Sequence, residues 1–472
     1  MNDLTDINLD FLPDHPDGIY LVGGIVRDLL AGHPPADIDL VVAGDILRTA
    51  GQIAEKTGGS VIDLGKKGFD VLRVASAEKT IDITPLDHPS IESNLQERDF
   101  TINAMAYDVR ARRLVDCTGG RVDMQRKKIR MVSPAVFEKD PARLVRAYRM
   151  SAVLHYSIAN GTEAAIGRHR HLIGSVAGER VWAELVKIFS TADASPVIMR
   201  MAASGLLTAI FPELRPAVGC IQNRHHTWDV FDHSLRVYNE LESLLSAFGA
   251  RFPRLAGTDG AAQLSGHAAM LKYAALLHDV GKPATRQVDP DGRVHFHGHA
   301  AKSATIAAAI GRRLKLSSRQ RQVSDAIIRH HIRPLFLYLA SEKGSLGRMG
   351  AVRFFNRCGD LALPIIVHTM ADIMAKGKGM QPRDGGFIKF CDGLLDAYID
   401  YTDRQATVPP LISGNDLISV FGLSPSPRFK YLLNRVDEGR LSGEMATRDQ
   451  ALKWVEAHLS LETGGRGQRS ED

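Results

Sequence analysis

Cysteine is scarce in this chain of 472 residues, which contains only four. They lie far apart, at Cys117, Cys220, Cys358 and Cys391, and no Cys-x-x-Cys pair occurs. Neither a disulfide framework nor a thiolate zinc site is expected from such spacing. We therefore predict that all four side chains are reduced thiols.

Long apolar runs are missing as well, because none approaches the roughly 18 residues of a membrane span. The first ten residues, MNDLTDINLD, are polar and acidic, unlike a signal peptide. Hydrophobic residues make up 44% of the chain and charged residues 24%, as in ordinary globular proteins. The sequence therefore predicts a cytoplasmic protein of about three domains with no membrane partner.

A large net charge is also absent, since the sum is only +5. The charge is unevenly distributed, because residues 110–149 contain twelve Lys and Arg against four Asp and Glu. A solvated face and a phosphate-binding surface would both explain such a run. Histidine is clustered too, with ten of the eighteen between His225 and His331, which suggests a metal site.

The periodicity of the chain changes near Pro134. Before it, short β-rich runs alternate with helical ones, which predicts an α/β domain. Strands are predicted over 19–22, 38–42, 61–64, 71–74 and 80–84, with helices up to residue 30 and near 45–56. After Pro134, helical periodicity dominates. We predict linkers at 248–266 and 376–386, where glycine and proline interrupt the pattern.

A glycine turn and two aspartates form a first constellation. In LVGGIVRDLLAGHPPADIDLVV, a strand leads into Gly23 and Gly24, a helix carrying Arg27 follows, and the pair Asp37 and Asp39 begins thirteen residues after Gly24. Alternation on a strand places both carboxylates on one face, where they repel each other unless a cation lies between them. Mg²⁺ bound there would bridge a nucleoside triphosphate and an attacking hydroxyl. The glycines allow the backbone to approach phosphates, and Arg27 adds positive charge.

This stretch resembles the signature of the nucleotidyltransferase superfamily that includes DNA polymerase β. The form is that of bacterial class II CCA-adding tRNA nucleotidyltransferases and poly(A) polymerases. Further motifs of that family follow in order: ERDFTINAMA at 97–106, DCTGGRVD at 116–123, DPARLVRAYR at 140–149, GER at 178–180, PLISGNDL at 410–417, GEMATR at 443–448 and ALKW at 451–454. The resemblance therefore covers nearly the whole chain.

The resemblance implies an activity and a set of site residues. Asp37 and Asp39 would be catalytic and hold Mg²⁺, with ATP, CTP and tRNA as partners. The nucleotide would be bound by Gly23, Gly24, Arg27, Arg98, Asp99, Asp140, Arg143 and Arg146. Asp82, in the strand-like TIDIT, is a candidate third carboxylate, although a surface aspartate would be equally natural there.

The predicted neck helix combines an expected pattern with one departure. Arg143, Arg146 and Arg149 recur every three residues and form a slowly drifting basic stripe, whose guanidiniums suit phosphates and base edges. Family members usually carry Glu-Asp before the Pro-x-x-Arg of this helix, whereas this chain has Lys139 followed by Asp140. The missing Glu would steady the arginine that reads the base. Addition of CCA, of part of it, or of A alone therefore stays open.

Histidines and aspartates form a second constellation. His233 precedes a His278-Asp279 doublet by 45 residues, and His299, His331 and Asp372 follow. Nitrogen and carboxylate ligands without cysteine suit a transition metal that activates water. The pattern is similar to the HD phosphohydrolase superfamily. It implies that His233, His278, Asp279 and Asp372 hold one metal ion (Ni²⁺, Co²⁺ or Mn²⁺) and that His299 and His331 contribute to a second.

These resemblances predict the organisation and function of the whole chain. The fold class is α+β: a polymerase-β-like α/β head is followed by a helical neck, an HD helical body and a helical tail. The boundaries are 1–133 for the head, 134–215 for the neck, 216–376 for the body, 387–460 for the tRNA-binding tail and 461–472 for a disordered end. The predicted function is template-independent addition of CCA, or part of it, to the tRNA 3′ end, with a phosphohydrolase body acting on 2′,3′-cyclic or 2′-phosphates.

Three other functions compete with this prediction. A poly(A) polymerase or A-adding enzyme would share the head motifs. An HD nucleotide hydrolase with a regulatory head would not need the intact pair Asp37 and Asp39. A non-enzymatic RNA chaperone would need neither metal constellation. The order of the motifs favours the tRNA enzyme.

Overall fold

The computed structural model describes residues 9–34, 38–65, 71–222, 227–377 and 381–464. Asp37, His225 and His226 lie outside the described residues. The chain divides into two compact units, Met1–Pro212 and Glu213–Asp472, which are described separately below.

A mixed sheet forms the centre of the first unit. In the described residues it has seven strands in the order β3-β4-β5-β2-β1-β6-β7. These strands are β1 Ile19–Val22, β2 Ile38–Val42, β3 Ser60–Asp63, β4 Leu72–Ala75, β5 Thr80–Pro85, β6 Ala106–Asp108 and β7 Arg113–Val115, and a separate parallel pair joins β8 Lys128–Ile129 to β9 Ser157–Ile158. Strand β2 is antiparallel to β1 and parallel to β5.

Helices cover this sheet and continue beyond it. They are α1 Gly24–Ala31, α2 Ile46–Thr57, α3 Ile91–Gln96, α4 Gly120–Gln125, α5 Val136–Lys139, α6 Arg143–Leu154, α7 Asn160–His169, α8 Gly178–Phe189, α9 Ser195–Ala203 and α10 Leu206–Ile210. The Asp45 side chain caps α2 by accepting a hydrogen bond from the Arg48 amide. Helix α6 packs on α8 and α9 through its buried apolar side chains, and this packing fixes the position of the α6 arginines.

The second unit is mostly helical. Its helices are α11 Val230–Ser246, α12 Phe248–Arg251, α13 Asp259–Gly266, α14 Ala268–Leu277, α15 His299–Arg313, α16 Ser318–His330, α17 Arg333–Glu342, α18 Arg348–Cys358, α19 Ala362–Met374, α20 Pro382–Thr407, α21 Gly414–Phe421, α22 Pro427–Ser442 and α23 Arg448–Gly464. A short hairpin joins β10 Gln287–Val288 to β11 Val294–His295.

Helices α11, α14, α16 and α19 pack against one another. Helix α19 is buried over most of its length, as its sequence ALPIIVHTMADIM predicts for a helix that is apolar all round. A separate apolar cluster around Leu417, Leu432 and Val455 joins the last three helices.

The predicted fold class is confirmed, because an α/β sheet unit precedes a mostly helical remainder. Each predicted strand of the head is present to within one residue at either end. The four cysteines are free thiols, as predicted. No helix within the described ranges is both long and apolar enough to span a bilayer.

The prediction of a linker at 248–266 was wrong, because helices α12 and α13 occupy most of it, and the last five residues of the linker predicted at 376–386 belong to α20. Residues 248–266 contain α12 and α13, because Phe248 and Leu264 are buried and the Thr258 hydroxyl caps α13. In 376–386, α20 begins at Pro382, where proline suits the first turn of a helix. At the end of the chain, α23 extends to Gly464, four residues into the segment predicted to be disordered. Burial and capping therefore outweigh the local glycine and proline signal.

Candidate active sites

A cavity of about 580 Å³ in the first unit collects most of the residues predicted to bind the nucleotide. We call it the nucleotide cavity. Its wall is formed by Gly23, Gly24, Arg27, Asp39, His88, Asn94, Glu97, Arg98, Asp99, Asn103, Arg143, Arg146, Arg149, Glu184 and Lys187. Of the predicted nucleotide residues, only Asp140 lies outside this wall.

The glycine turn lies at the start of α1, facing the cavity. Gly23 has a φ of 77°, a conformation that residues with a side chain rarely adopt. A Cβ atom at this position would lie 3.1 Å from Nη1 of Arg98 and 3.5 Å from Oδ2 of Asp39. The absent side chain therefore leaves room beside a carboxylate and a guanidinium, at the amino end of a helix.

Asp39 lies on β2 and is half-buried. Its register partner on the parallel strand β5 is Asp82. The carboxylate of Asp82 accepts two hydrogen bonds from Arg73, at 2.7 and 2.8 Å. Arg73 therefore compensates the negative charge of Asp82. The second predicted catalytic carboxylate, Asp37, lies outside the described residues.

A chain of polar contacts crosses the cavity wall. Nη1 of Arg27 donates to Oδ1 of Asn103 at 2.7 Å, and Nδ2 of Asn103 donates to Oδ1 of Asp99 at 3.1 Å. The other oxygen of Asp99 lies 3.3 Å from Nη1 of Arg146, whose Nε donates to Glu184 at 3.0 Å. The family resemblance in ERDFTINAMA contained Asn103, but sequence reasoning gave it no role.

Glu184 of α8 balances two arginines of α6. Its second oxygen lies 2.6 Å from Nε of Arg149. Burial lowers the pKa of Arg146, but Asp99 and Glu184 outweigh burial, so this pKa lies above its ordinary value. Burial dominates at Arg98, whose pKa is lowered even though Asp99 and Asp39 are near. Arginine is not deprotonated in proteins, so both guanidiniums are cations.

Asp140, one of the two residues predicted to read the base, is bound by Arg180 and lies farther from Arg143, the other one. Asp140 accepts two hydrogen bonds from Nη2 of Arg180, at 2.9 and 2.8 Å, whereas Nε of Arg143 lies 4.0 Å away. Burial raises the pKa of Asp140, but the hydrogen bonds from Arg180 outweigh it and hold the pKa below its usual value. Lys139 lies 3.0 Å from Glu97, which lines the cavity. Lys139 therefore pairs with the ERDFTINAMA segment.

A second site lies among the packed helices of the second unit. His233 of α11, His278 and Asp279 after α14, His299 at the start of α15, His331 after α16 and Asp372 of α19 together form what we call the metal cluster. Their ligand atoms fall into three overlapping groups, within each of which all distances are at most 4.8 Å. All six residues predicted from the HD resemblance therefore lie together.

Backbone carbonyls orient three of the imidazoles in the same way. The Nδ1 atoms of His278, His299 and His331 lie 2.9, 2.9 and 2.7 Å from the carbonyl oxygens of residues 275, 296 and 328. A carbonyl oxygen only accepts, so each Nδ1 must donate. In the neutral form of each ring, the Nε2 lone pair is then directed to the centre of the cluster. This tautomer is the one that a metal ligand needs.

The centre of the metal cluster favours a cation. Nε2 of His299 lies 3.4 Å from Nε2 of His331 and 3.4 Å from Oδ1 of Asp279. Burial lowers the pKa of His331 to about 3, so this ring is neutral and its lone pair faces that of His299. Burial raises the pKa of Asp279, but His278 and Lys282 outweigh burial and hold this pKa well below its usual range. Two lone pairs and a buried carboxylate therefore converge, which fits a transition metal.

Sequence reasoning missed two buried residues beside the cluster. His368 precedes Asp372 by one helical turn, and both of its ring nitrogens lack a hydrogen-bond partner among the described residues. Its ring centroid lies 5.1 Å from that of His278. Nζ of Lys282 lies 2.6 Å from Asp279. The spacing of Lys282, three residues after Asp279, was a signal that could have been used.

The metal cluster opens into a cavity of about 780 Å³. One end of it is formed by Asp279, His299, His331 and Asp372. The rest of the wall combines apolar side chains of α17 with cations near the start of α20. A ligand much larger than phosphate therefore fits next to the cluster.

Three protein-family models match successive parts of the chain. Residues 19–130 match the poly A polymerase head domain, and residues 155–218 match the model described as a probable RNA and SrmB binding site of polymerase A. Residues 230–349 match the HD domain, and this range includes five of the six metal-cluster residues, all except Asp372. The head model covers the glycine-turn side of the nucleotide cavity, and the HD model covers most of the metal cluster; each cavity wall also includes residues beyond its model.

Full-length relatives decide the assignment. An A-adding tRNA nucleotidyltransferase of Deinococcus radiodurans is 32% identical over 455 residues, which cover 94% of this chain and 96% of the relative. The chain belongs to the family of bacterial tRNA nucleotidyltransferases and poly(A) polymerases. A CC-adding tRNA nucleotidyltransferase of Thermus thermophilus is another full-length relative in this family, 29% identical over 97% of each chain.

A solved structure has the same fold. The Thermotoga maritima CCA-adding enzyme complexed with tRNA has a TM-score of 0.64 over 93% of this chain and 91% of its own, at 20% identity. This similarity extends the family fold of tRNA nucleotidyltransferases and poly(A) polymerases to nearly the whole chain.

The contacts of Arg146 generate a first prediction. The change Arg146→Ala removes a charge-assisted contact, which typically costs about 1.5–3 kcal/mol. We expect the dissociation constant for a nucleoside triphosphate to rise roughly ten- to a hundredfold, measured by equilibrium binding. The control Arg168→Ala changes an exposed arginine of α7 that does not line the cavity. Unchanged nucleotide affinity in a folded Arg146→Ala protein would contradict this role.

Proposed function

We propose that the first unit adds nucleotides from CTP and ATP to the 3′ end of tRNA, without a template, and that the second unit is a metal-dependent phosphohydrolase. One observation carries the first part: the nucleotide cavity unites a glycine turn, the carboxylate of Asp39 and the arginines of α6. The named relatives act at the same step, since one is A-adding and another CC-adding.

The charges of the cavity suit a triphosphate. Arg27 and Arg98 lie next to the glycine turn, and Arg143 and Arg146 extend from α6 into the same space. Nε of Arg98 and Nε of Arg143 are buried donors without a hydrogen-bond partner among the described residues. Buried donors without a partner are costly, and phosphate oxygens would satisfy them.

Asp39, together with Asp37, is our proposed ligand set for Mg²⁺. The space next to Gly23, which a Cβ atom would fill, adjoins Oδ2 of Asp39, so an ion and phosphate oxygens have room there. Bound Mg²⁺ would supply charge stabilisation for phosphoryl transfer and lower the pKa of the attacking hydroxyl. The protein itself would orient the triphosphate through Arg27 and Arg98 and restrict the base through Asp140 and Arg143.

The metal cluster supports the second activity. His233, His278, Asp279 and Asp372 would hold one ion, with His299 and His331 contributing to a second. A bound transition metal would activate water toward phosphorus. In this proposal Lys282 orients Asp279 and neutralises part of its charge. We propose 2′,3′-cyclic and 2′-phosphates as substrates, because the first unit works at an RNA 3′ end.

One assay tests the main proposal. The full chain is incubated with tRNAs that end at the discriminator base, at C, or at CC, with labelled CTP or ATP supplied separately. We expect incorporation on at least one of these ends, and the pattern identifies the added nucleotides. Long adenosine tracts on unrelated RNA would favour a poly(A) polymerase instead, and no incorporation on any end would favour a regulatory head.

The change Asp39→Ala should lower nucleotide addition by several orders of magnitude, because the carboxylate that would hold Mg²⁺ is lost. Binding of tRNA should stay close to that of the unmodified protein, since phosphate contacts supply it. Incorporation and filter binding are measured in parallel. Asp63→Ala, an exposed aspartate on the edge strand β3, is the matched control. Near-normal addition by Asp39→Ala would place the active site elsewhere.

The change Lys139→Glu should alter the ratio of C to A incorporation more than it alters total activity. It replaces the attraction between Lys139 and Glu97 by repulsion, while a glutamate at 139 would attract Arg143. The ratio is measured with equal concentrations of CTP and ATP. Charge reversal at Lys79, which is exposed and does not line the cavity, serves for comparison. An unchanged ratio in Lys139→Glu would show that residue 139 does not influence base selection.

The double change His278→Ala with Asp279→Ala should abolish metal-dependent hydrolysis of 2′,3′-cyclic phosphates and retain nucleotide addition, because each site has its own ligands. Hydrolysis is measured with Ni²⁺, Co²⁺ and Mn²⁺ in turn. Loss of both activities in a folded double variant would contradict the independence of the sites. Absence of hydrolysis in the unmodified protein would make the cluster structural.

A further inference from the structure

A buried histidine outside the assigned ligand set lies beside the metal cluster. His368 of α19 is fully buried, and neither of its ring nitrogens has a hydrogen-bond partner among the described residues. A neutral imidazole has one N–H donor and one lone pair, so both a donor and an acceptor lack a partner here. Buried polar atoms without a partner are costly. A histidine at this position therefore indicates a ligand that would satisfy it.

The rings next to His368 belong to two predicted metal ligands. Its centroid lies 5.1 Å from that of His278 and 5.8 Å from that of His331, and the centroids of His278 and His331 are 5.1 Å apart. Two imidazoles that bind one ion tetrahedrally, each with a nitrogen about 2.1 Å from it, have centroids about 5 Å apart. The three rings are therefore spaced as ligands of a single ion would be.

A carboxylate completes the arrangement. Asp372 follows His368 by four residues on the same face of α19, and its ligand atom lies within 4.8 Å of those of His278 and His331. His368 is not a member of that group. Backbone carbonyls hold the rings of His278 and His331, whereas no hydrogen bond within the described part of the chain holds that of His368. Rotation of this ring can therefore direct a nitrogen to the group.

We propose that His368 is a further metal ligand, which together with His278, His331 and Asp372 forms a group of three imidazoles and one carboxylate. The inference rests on the proposed metal-dependent function and adds to it a residue that the HD resemblance does not include. Imidazole ligands suit Ni²⁺, whereas carboxylate and water oxygens suit Mn²⁺. A third imidazole should therefore increase the preference of the site for Ni²⁺ over Mn²⁺.

A role in packing alone explains this histidine less well. The other buried positions of α19 are mostly apolar, as Ile365, Ile366 and Met370 illustrate. An apolar side chain of similar size would fill the same space without unpartnered nitrogens. Such a replacement of a buried polar group is often neutral or stabilising. A histidine at this place therefore has a cost in the free energy of folding that a bound ion would offset.

The test measures metal binding by the full-length protein without substrate, after a chelator has removed bound metal. His368→Leu should raise the dissociation constant for Ni²⁺ about tenfold or more, and that for Mn²⁺ by a smaller factor, in calorimetric titrations. The visible absorption spectrum of bound Co²⁺ should change as well, because it depends on the ligands. His267→Leu is the matched control, since it replaces a largely buried histidine outside the metal groups and should change neither quantity.

Thermal unfolding supplies a second readout. Without metal, His368→Leu should unfold at the same temperature as the unmodified protein or at a higher one, because the unpartnered nitrogens are gone. Saturating Ni²⁺ should raise the unfolding temperature of the unmodified protein more than that of the variant. If His368→Leu does not fold, His368→Gln takes its place in both measurements, because it keeps a polar side chain and lacks the imidazole.

Equal Ni²⁺ affinity and an unchanged Co²⁺ spectrum in His368→Leu would overturn the inference. An equal loss of affinity for Ni²⁺ and Mn²⁺ with an unchanged spectrum would also overturn it, because a packing defect has that signature. Failure of the proposed function looks different. The unmodified protein would then bind metal, with the expected effect of His368→Leu, but would hydrolyse no 2′,3′-cyclic phosphate.

Discussion

The guanidinium of Arg146 lies between two carboxylates, and the nucleotide cavity depends on this arrangement. Asp99 lies in the segment between helix α3 and strand β6, whereas Glu184 belongs to helix α8. Because both contacts are made by one side chain, the distance between the sheet and the helical part of the first unit is fixed where the cavity forms. Arg149 shares Glu184, so the α6 arginines are oriented without losing all of their positive charge. The cations Arg27, Arg98, Arg143 and Arg146 of the cavity wall would otherwise repel one another at close range.

The second unit solves the opposite electrostatic problem. There, carboxylate oxygens and imidazole nitrogens that can bind a metal converge. Backbone carbonyls that accept from Nδ1 determine that Nε2 of His278, His299 and His331 faces the centre. A carbonyl three residues earlier in the chain is available only where a helix ends or begins, which is where His278, His299 and His331 lie. Helix length and the tautomer of each ligand are therefore coupled. A shift of one residue in α14 or α16 would turn an imidazole away from the cluster.

Much of this could be read from the sequence, for identifiable reasons. The strands of the head have alternating or continuous apolar patterns that fix their register, and the metal ligands come in a recognisable order along the chain. The carboxylate partner of Arg146 could not be predicted from the sequence, because Glu184 lies 38 residues further along the chain and no local sequence pattern links the two residues. The same holds for Arg180, which takes the carboxylate of Asp140. The predicted linker at 248–266 failed because Phe248 and Leu264 gain burial that a local glycine and proline pattern does not reveal.

Lys139 shows why a motif departure has to be interpreted with its surroundings. At the sequence level, a lysine in place of a glutamate removes a brace for Arg143 and adds like charge beside it. In the structure, Arg180 binds Asp140, and Lys139 pairs with Glu97. The positive charge of Lys139 is therefore compensated by a carboxylate of the cavity wall. The hydrogen bond from Lys139 lowers the pKa of Glu97, and His88 lowers it further. In this chain Lys139 therefore forms its charge pair with the wall of the nucleotide cavity, which both Glu97 and Arg143 line.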